Sequence, residues 1–168
     1  MAEALLKRYY VPEPRVEVTV YLVRASLPSS PTAPIGAFNP IPAELKAAIE
    51  EMKGAFNYER YALWDSIIVQ PKGSGGELQG ILPVDGGGRN YLYTVGYGVY
   101  GGQPAGGKTV NLANFMFSIK MPVGKDDIDS HIRTDVTIHE GQKLVLGKIR
   151  LLPSANADLF LILTTKVN

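Results

Sequence analysis

The sequence contains no cysteine among its 168 residues. Disulfide bonds, thiolate nucleophiles and cysteine metal ligands are therefore excluded together. Strong net charge is missing too, because 17 lysine and arginine residues are balanced by 16 aspartate and glutamate residues. A chain so close to neutral has no overall field to attract nucleic acid or an anionic membrane. We therefore expect no nucleic-acid partner.

Long hydrophobic runs are also absent from the sequence. No apolar stretch reaches the roughly 18 residues that a membrane-spanning helix requires, so we expect that the chain as given does not span a membrane. The first residues, MAEALLKRYYVPEP, are too short and too charged for a signal peptide. Met1 and Ala2 are equally compatible with a start that replaced a signal peptide, so the compartment stays open.

The sequence lacks the common motifs of hydrolytic catalysis. Neither Gly-x-Ser-x-Gly nor His-Glu-x-x-His occurs. Its serines lie mostly in segments with loop composition, with no histidine at a spacing that suggests a catalytic pair. We therefore predict no catalytic residue and a protein that is not an enzyme.

One explicit motif is present, the octapeptide Gly102–Thr109 with the P-loop sequence GQPAGGKT. A working P-loop follows a strand and precedes a helix whose first amides hold the phosphates. Residues 91–100 alternate as a strand should, but the residues after the motif also alternate, with Val110, Leu112, Asn114 and Met116 on one side. We therefore predict a glycine-rich connection between two strands. A nucleotide-binding enzyme is the least favoured alternative.

Two histidines, His131 and His139, stand among several carboxylates. If residues 131–139 form a strand, eight residues at about 3.4 Å each separate the two rings by roughly 27 Å, too far for one metal ion. The sequence of residues 126–129, DDID, lacks the glycine and the final glutamate of a calcium loop. It is more typical of residues that cap a turn after Gly124-Lys125. We predict no metal site and no cofactor.

The composition is that of an ordinary globular protein, with 45% hydrophobic and 20% charged residues. Its length suits one domain with a sizeable core, so we predict a single domain over residues 1–168. Residues 15–24 alternate with Val16, Val18, Val20 and Leu22 on one face, which predicts a half-buried strand. A proline-rich segment follows over residues 27–42 and predicts a surface loop.

A single amphipathic helix is predicted near residues 43–53. Its apolar positions, Leu45, Ala48, Ile49 and Met52, recur at helical spacing. Pro42 suits the first turn and Gly54 the C-terminal cap.

The remainder of the chain is a series of strand-like runs separated by glycine-rich turns. Asp85-Gly86-Gly87-Gly88 is a hairpin signal between two of them. We therefore predict a mainly β (α+β) fold, an antiparallel β-sandwich or barrel-like sheet of about seven or eight strands with one helix. The runs after the helix cover residues 56–69, 77–84, 91–100, 109–121, 132–138, 143–151 and 159–167.

Aromatic residues form one candidate binding face. Tyr91, Tyr93 and Tyr97 fall on the same side of one predicted strand, and we expect Trp64, Tyr58 and Tyr61 to be adjacent. Such a face can bind sugars, peptides or bases. It can equally be half-buried sheet packing, and the sequence favours packing. The candidate ligand-binding residues are Tyr91, Tyr93, Tyr97 and Trp64.

About the last 35 residues resemble the closing strands of bacterial secretins, which are outer-membrane channel proteins. Residues 140–142, EGQ, match a turn written D/E-G-Q, and residues 145–147, VLG, match the strand that follows it. The final apolar run, residues 159–167, closes with Thr and Val as secretins do. Lys148 departs from the pattern, which often has a second glycine there. Residues 15–69 are similar only in outline to the small α/β modules of these proteins, and the long multidomain arm is lacking.

The resemblance implies a non-catalytic bacterial structural or interaction domain that is associated with the cell envelope. Its partner would be another protein or a second copy of itself, and the periplasm or envelope is favoured over the cytoplasm. The alternative is a β domain that binds a small ligand or a glycan through the aromatic face.

Overall fold

The computed structural model describes residues 15–27, 39–71, 75–83, 89–99, 109–151 and 157–168. Within these ranges it contains eight strands and one α-helix, so the predicted mainly β fold is confirmed. In chain order the elements are β1 (Val16–Ser26), a 3₁₀ turn (Ala43–Leu45), α1 (Lys46–Ala55), β2 (Arg60–Val69), β3 (Gly75–Leu82), β4 (Tyr91–Val99), β5 (Thr109–Val123), β6 (Asp126–His139), β7 (Leu144–Arg150) and β8 (Ala157–Val167). No helix in these ranges has the length and apolar character needed to cross a membrane.

The strands form two antiparallel sheets of four. Sheet 1 has the order β2-β1-β8-β7 and sheet 2 the order β3-β4-β5-β6. The first and last strands of the chain pair along their whole length, from Val16 opposite Val167 to Ser26 opposite Ala157. The centre of sheet 1 therefore depends on contacts between opposite ends of the sequence.

The main hydrophobic core lies between the inner faces of the two sheets. Alternation places Val18, Val20 and Leu22 of β1 there, opposite Phe115 and Phe117 of β5. Full burial of each such side chain contributes about 1.5–3 kcal/mol, so this layer is the main source of stability.

A second, smaller core lies on the outer face of sheet 1, under α1. Leu45, Ile49 and Met52 pack there against alternate residues of the strands, among them Tyr21, Val23, Ala25, Leu63, Phe160 and Ile162. The second half of β1 is therefore buried on both faces, and so is most of β8. The predicted half-buried strand at residues 15–24 is wrong in this respect, because the helix covers the face that alternation assigned to solvent.

The helix ends two residues later than predicted. It continues through Gly54 to Ala55, and the N–H of Phe56 donates to the carbonyl of Met52 at 2.8 Å. Gly54 does not adopt the positive φ of a C-terminal cap. The chain instead leaves the helix because Phe56 is extended and its ring packs on Phe160, with centroids 5.2 Å apart.

Candidate functional site

The segment that follows the P-loop octapeptide is a strand. β5 begins at Thr109, the last residue of the motif, and pairs with both β4 and β6. Residues 100–108 lie outside the described residues. The predicted strand after the motif is confirmed, and it stands where a phosphate-binding helix would have to begin.

The two histidines lie on β6, with their side chains on the outer face of sheet 2. His131 and His139 are both exposed, and His139 Nδ1 lies 2.9 Å from Thr109 Oγ1. The predicted polar face, which also includes Arg133, Asp135 and Thr137, is exposed as expected. Among the residues described, no group of three histidine or carboxylate side chains is arranged to hold a metal ion.

The candidate aromatic face points into the core. Tyr91, Tyr93 and Trp64 are buried between the sheets. Trp64 meets Tyr91 edge to face at 5.4 Å and donates from Nε1 to the carbonyl of Pro83 at 3.2 Å. Burial raises the pKa of Tyr91 and of Tyr93. These positions favour packing, and ligand binding by this face stays a prediction.

Tyr58 and Tyr61 are not adjacent to the other aromatic residues. Both pack on the second core, beneath α1, so that sheet 1 separates them from Trp64. The expectation of one continuous aromatic surface is therefore wrong, because neighbouring positions near β2 point to opposite faces of the sheet.

A buried carboxylate, Asp158, lies beside Tyr58 at the second core. It accepts a hydrogen bond from the Tyr58 hydroxyl and lies 3.6 Å from Lys148 Nζ and 3.5 Å from Arg150 Nε. Burial, followed by this hydrogen bond, raises the pKa of Tyr58 to about 12. Lys148 also lies over the Phe56 ring, 5.6 Å from its centroid. The residue that departs from the secretin pattern therefore has a structural role here.

The turn at residues 140–142 joins the two sheets and is bonded to β8. Gly141 has φ 76° and donates from its N–H to the carbonyl of Thr165 at 3.0 Å. The Glu140 carboxylate accepts from the N–H of Val167 at 3.2 Å, and the Gln142 side-chain oxygen accepts from the N–H of His139 at 3.0 Å. Residues 140–142, which are part of the resemblance to secretins, thus stabilise the connection between β6 of sheet 2 and β7 of sheet 1.

Replacing Gly141 by alanine is expected to lower the free energy of unfolding by about 1–2 kcal/mol, because a side chain is disfavoured at positive φ. The matched control is Gly54→Ala, whose new methyl group meets no atom within 4 Å and stands in a helix. That change is expected to stabilise the fold by about 0.5–1 kcal/mol. Urea unfolding measures the free energy of unfolding of both variants. Changes of the same sign in the two variants would contradict the requirement for glycine at position 141.

Two tyrosines of β4 cover glycines of the neighbouring strand β3. Tyr93 stands opposite Gly80, and Tyr97 stands opposite Gly76. The Tyr93 hydroxyl occupies the place that a Cβ atom on Gly80 would take. The Tyr97 hydroxyl lies 2.6 Å from the place that a Cβ atom on Gly76 would take. Neither hydroxyl makes a hydrogen bond to another described residue. The rings therefore extend across β3 towards its far side.

The far side of β3, which we call the β3 edge, is an open sheet edge. Within the part of the chain that is described, no main-chain hydrogen bond reaches it. Leu78 and Ile81 of β3 are 40% and 57% exposed, and Leu92, opposite Ile81 on β4, is 49% exposed. The strand has one charged residue, Glu77, and pairs with β4 without a bulge.

The three other edge strands carry features that oppose pairing with a further strand. On β2, Asn39 occupies the open side through two hydrogen bonds with Leu63, at 2.8 and 3.0 Å. β6 is lined with charges from Asp126 to Asp135. β7 has only seven residues, a bulge after Val145 and two cations. Charges, bulges and coverage protect edges from association, so β3 is the unprotected edge among the described strands.

An open groove of about 570 Å³ lies beside this edge, on the outer face of sheet 2. Ile81 and Leu92 line it together with polar residues such as Lys120 and His131. Of the four candidate aromatic residues only Tyr93 contributes to its lining. The groove is therefore a mostly polar surface that reaches the β3 edge at Ile81 and Leu92, and it is not an aromatic site.

No protein-family model matches the sequence, and neither does any curated protein. Among solved structures the chain is similar to the secretin InvG of the Salmonella SPI-1 injectisome. The β-barrel of the InvG secretin domain gives a TM-score of 0.39 at 10% identity, covering 99% of this chain and 66% of that one. A near-atomic cryo-EM structure of InvG gives 0.37 at 12% identity, covering 99% and 68%. The chain thus spans about two thirds of the length of these two InvG chains, and the matched region covers nearly the whole of this chain.

Proposed function

We propose that this chain is a non-catalytic bacterial structural or interaction domain that binds a protein strand along the β3 edge. The observation that carries the proposal is the edge itself, which is unprotected and bordered by the exposed side chains of Leu78 and Ile81. An added strand forms main-chain hydrogen bonds with such an edge, and these supply affinity. Side chains on the two faces then supply specificity.

The tyrosines of β4 have a place in this proposal. The hydroxyls of Tyr93 and Tyr97 reach over β3 on the inner face of sheet 2. An added strand would lie directly beyond them, with its backbone about 4.8 Å from β3. The candidate residues Tyr93 and Tyr97 would therefore meet a bound strand with their polar ends, while their rings remain part of the core.

The envelope part of the proposal is supported by the C-terminal resemblance to secretins. Its residues, 140–142 and 145–147, form the crossover turn and the start of β7. We propose that the domain works in the periplasm or at the cell envelope rather than in the cytoplasm.

The test is site-specific photo-crosslinking in cells of a bacterial host that produce the full-length gene product. A photoreactive amino acid at position 81, on the β3 edge, is expected to give discrete protein adducts. The matched control places it at position 128 on β6, where the natural isoleucine is 43% exposed but the strand is protected by charge. Adducts at neither position, or equally at both, would contradict binding at the β3 edge.

A further inference from the structure

We infer that the strand added to the β3 edge is β3 of a second copy of this chain, antiparallel about a two-fold axis at Leu78. The inference rests on the proposed function, since it names the partner for the same edge. An isologous pair of this kind uses one surface twice and closes on itself. The product is a continuous eight-stranded sheet made of two copies of sheet 2.

The charge pattern of β3 permits this pairing. An axis at Leu78 places Glu77 opposite Gln79 of the second copy, on the outer face. Within one chain the Gln79 side-chain amide already donates to the Glu77 carboxylate at 3.0 Å. Because Glu77 is the strand's single charge, no like charges stand directly opposite each other, which would be unfavourable in a sheet.

The inner face of β3 selects a partner strand with small residues. The ring ends of Tyr93 and Tyr97 occupy the space over Gly80 and Gly76. A strand added beyond them fits best if it has no bulky side chain opposite either glycine, because bulk there would meet the tyrosine hydroxyls. In the Leu78-centred register Gly76 of one copy stands opposite Gly80 of the other, so β3 meets this requirement itself.

The central contact of the pair is apolar. Leu78 stands opposite Leu78 of the second copy, and the two half-exposed side chains cover each other. On either side of them, the hydroxyl of Tyr93 from one copy faces that of Tyr97 from the other. Hydroxyls that have no hydrogen-bond partner among the described residues of one chain would thus find one across the axis.

Single-cysteine cross-linking tests the inference cleanly, because the natural chain contains no cysteine. Leu78→Cys brings the two Cα atoms to about 4.5–5.5 Å from each other across the axis, which is within the Cα–Cα range of disulfides. We expect mild oxidation of the complete chain to convert most of the variant to a covalent dimer. Ile81→Cys is the matched control, since in this register its two copies are six residues apart along the strand, about 20 Å.

Sedimentation of the unsubstituted chain over a range of concentrations accompanies the cross-linking. A monomer–dimer equilibrium together with cross-linking at 78 and not at 81 supports the pair. A chain that sediments as a monomer throughout, or cross-linking that is equal at both positions, overturns it. Photo-adducts with other proteins at position 81, combined with a monomeric chain, would overturn self-pairing and leave the proposed function standing. Absence of any adduct would contradict both.

Discussion

Replacing Phe117 by alanine is expected to lower the free energy of unfolding by about 3–5 kcal/mol, the range for deleting a phenylalanine from a packed core. Phe117 has no exposed surface and lies on β5, a central strand of sheet 2. Its ring stacks on Tyr93, with centroids 6.2 Å apart and planes 15° from parallel. The change therefore removes a stacked contact as well as buried area, and the cavity opens where the two sheets meet.

Urea unfolding followed by circular dichroism measures this loss. Small domains are stable by only about 5–15 kcal/mol, so the variant should unfold at a much lower urea concentration. The control is Ile68→Ala, at a side chain that is 59% exposed, where a change within about 0.5 kcal/mol is expected. A loss below about 1 kcal/mol at Phe117 would show that the space between the sheets is not a packed core.

The strands and the helix could be predicted because the spacing of their apolar residues can be recognised within each short segment of the sequence. Period-2 alternation and glycine-rich turns located the strands, and one apolar stripe located the helix. The burial of β1 on both faces could not be obtained this way, because it depends on α1 packing over Tyr21 and Val23 from a distant part of the chain. The prediction that Gly54 caps the helix is wrong for a related reason. The chain leaves the helix after Ala55, where Phe56 packs on Phe160, a residue from a distant part of the sequence.

The P-loop motif shows how flanking residues decide between two interpretations of one pattern. The octapeptide fits nucleotide binding, but the alternation that begins at Val110 indicates a strand, and β5 indeed starts at Thr109. Sequence periodicity was sufficient in this case because the required element, a helix, would have shown a different period.

The candidate site was only partly accessible from the sequence. The alternation of tyrosines on β4 can be recognised in the sequence. Which residues these tyrosines contact depends on strand order and register. Only the pairing of Tyr93 with Gly80 and of Tyr97 with Gly76 shows why β3 is rich in glycine. That β3 is an edge, and an unprotected one, follows from the topology of both sheets together. A glycine-rich strand opposite a tyrosine-rich strand is the one sequence signal that points to it.

Pairing of the β3 edge with another strand is tested most directly by amide hydrogen exchange of β3. In an edge strand every second residue directs its N–H to the open side, where water exchanges it rapidly. Pairing buries these amides in a hydrogen bond. Their exchange should then slow by about tenfold when about nine-tenths of the chains are paired, because exchange requires the unpaired form.

The measurement compares dilute and concentrated solutions of the complete chain, residue by residue. We expect alternate amides between Gly75 and Leu82 to become protected as concentration rises, while the open-side amides of β6, from Asp126 to His139, do not change. Exchange in β3 that is independent of concentration, or protection that rises equally on both edges, would contradict it.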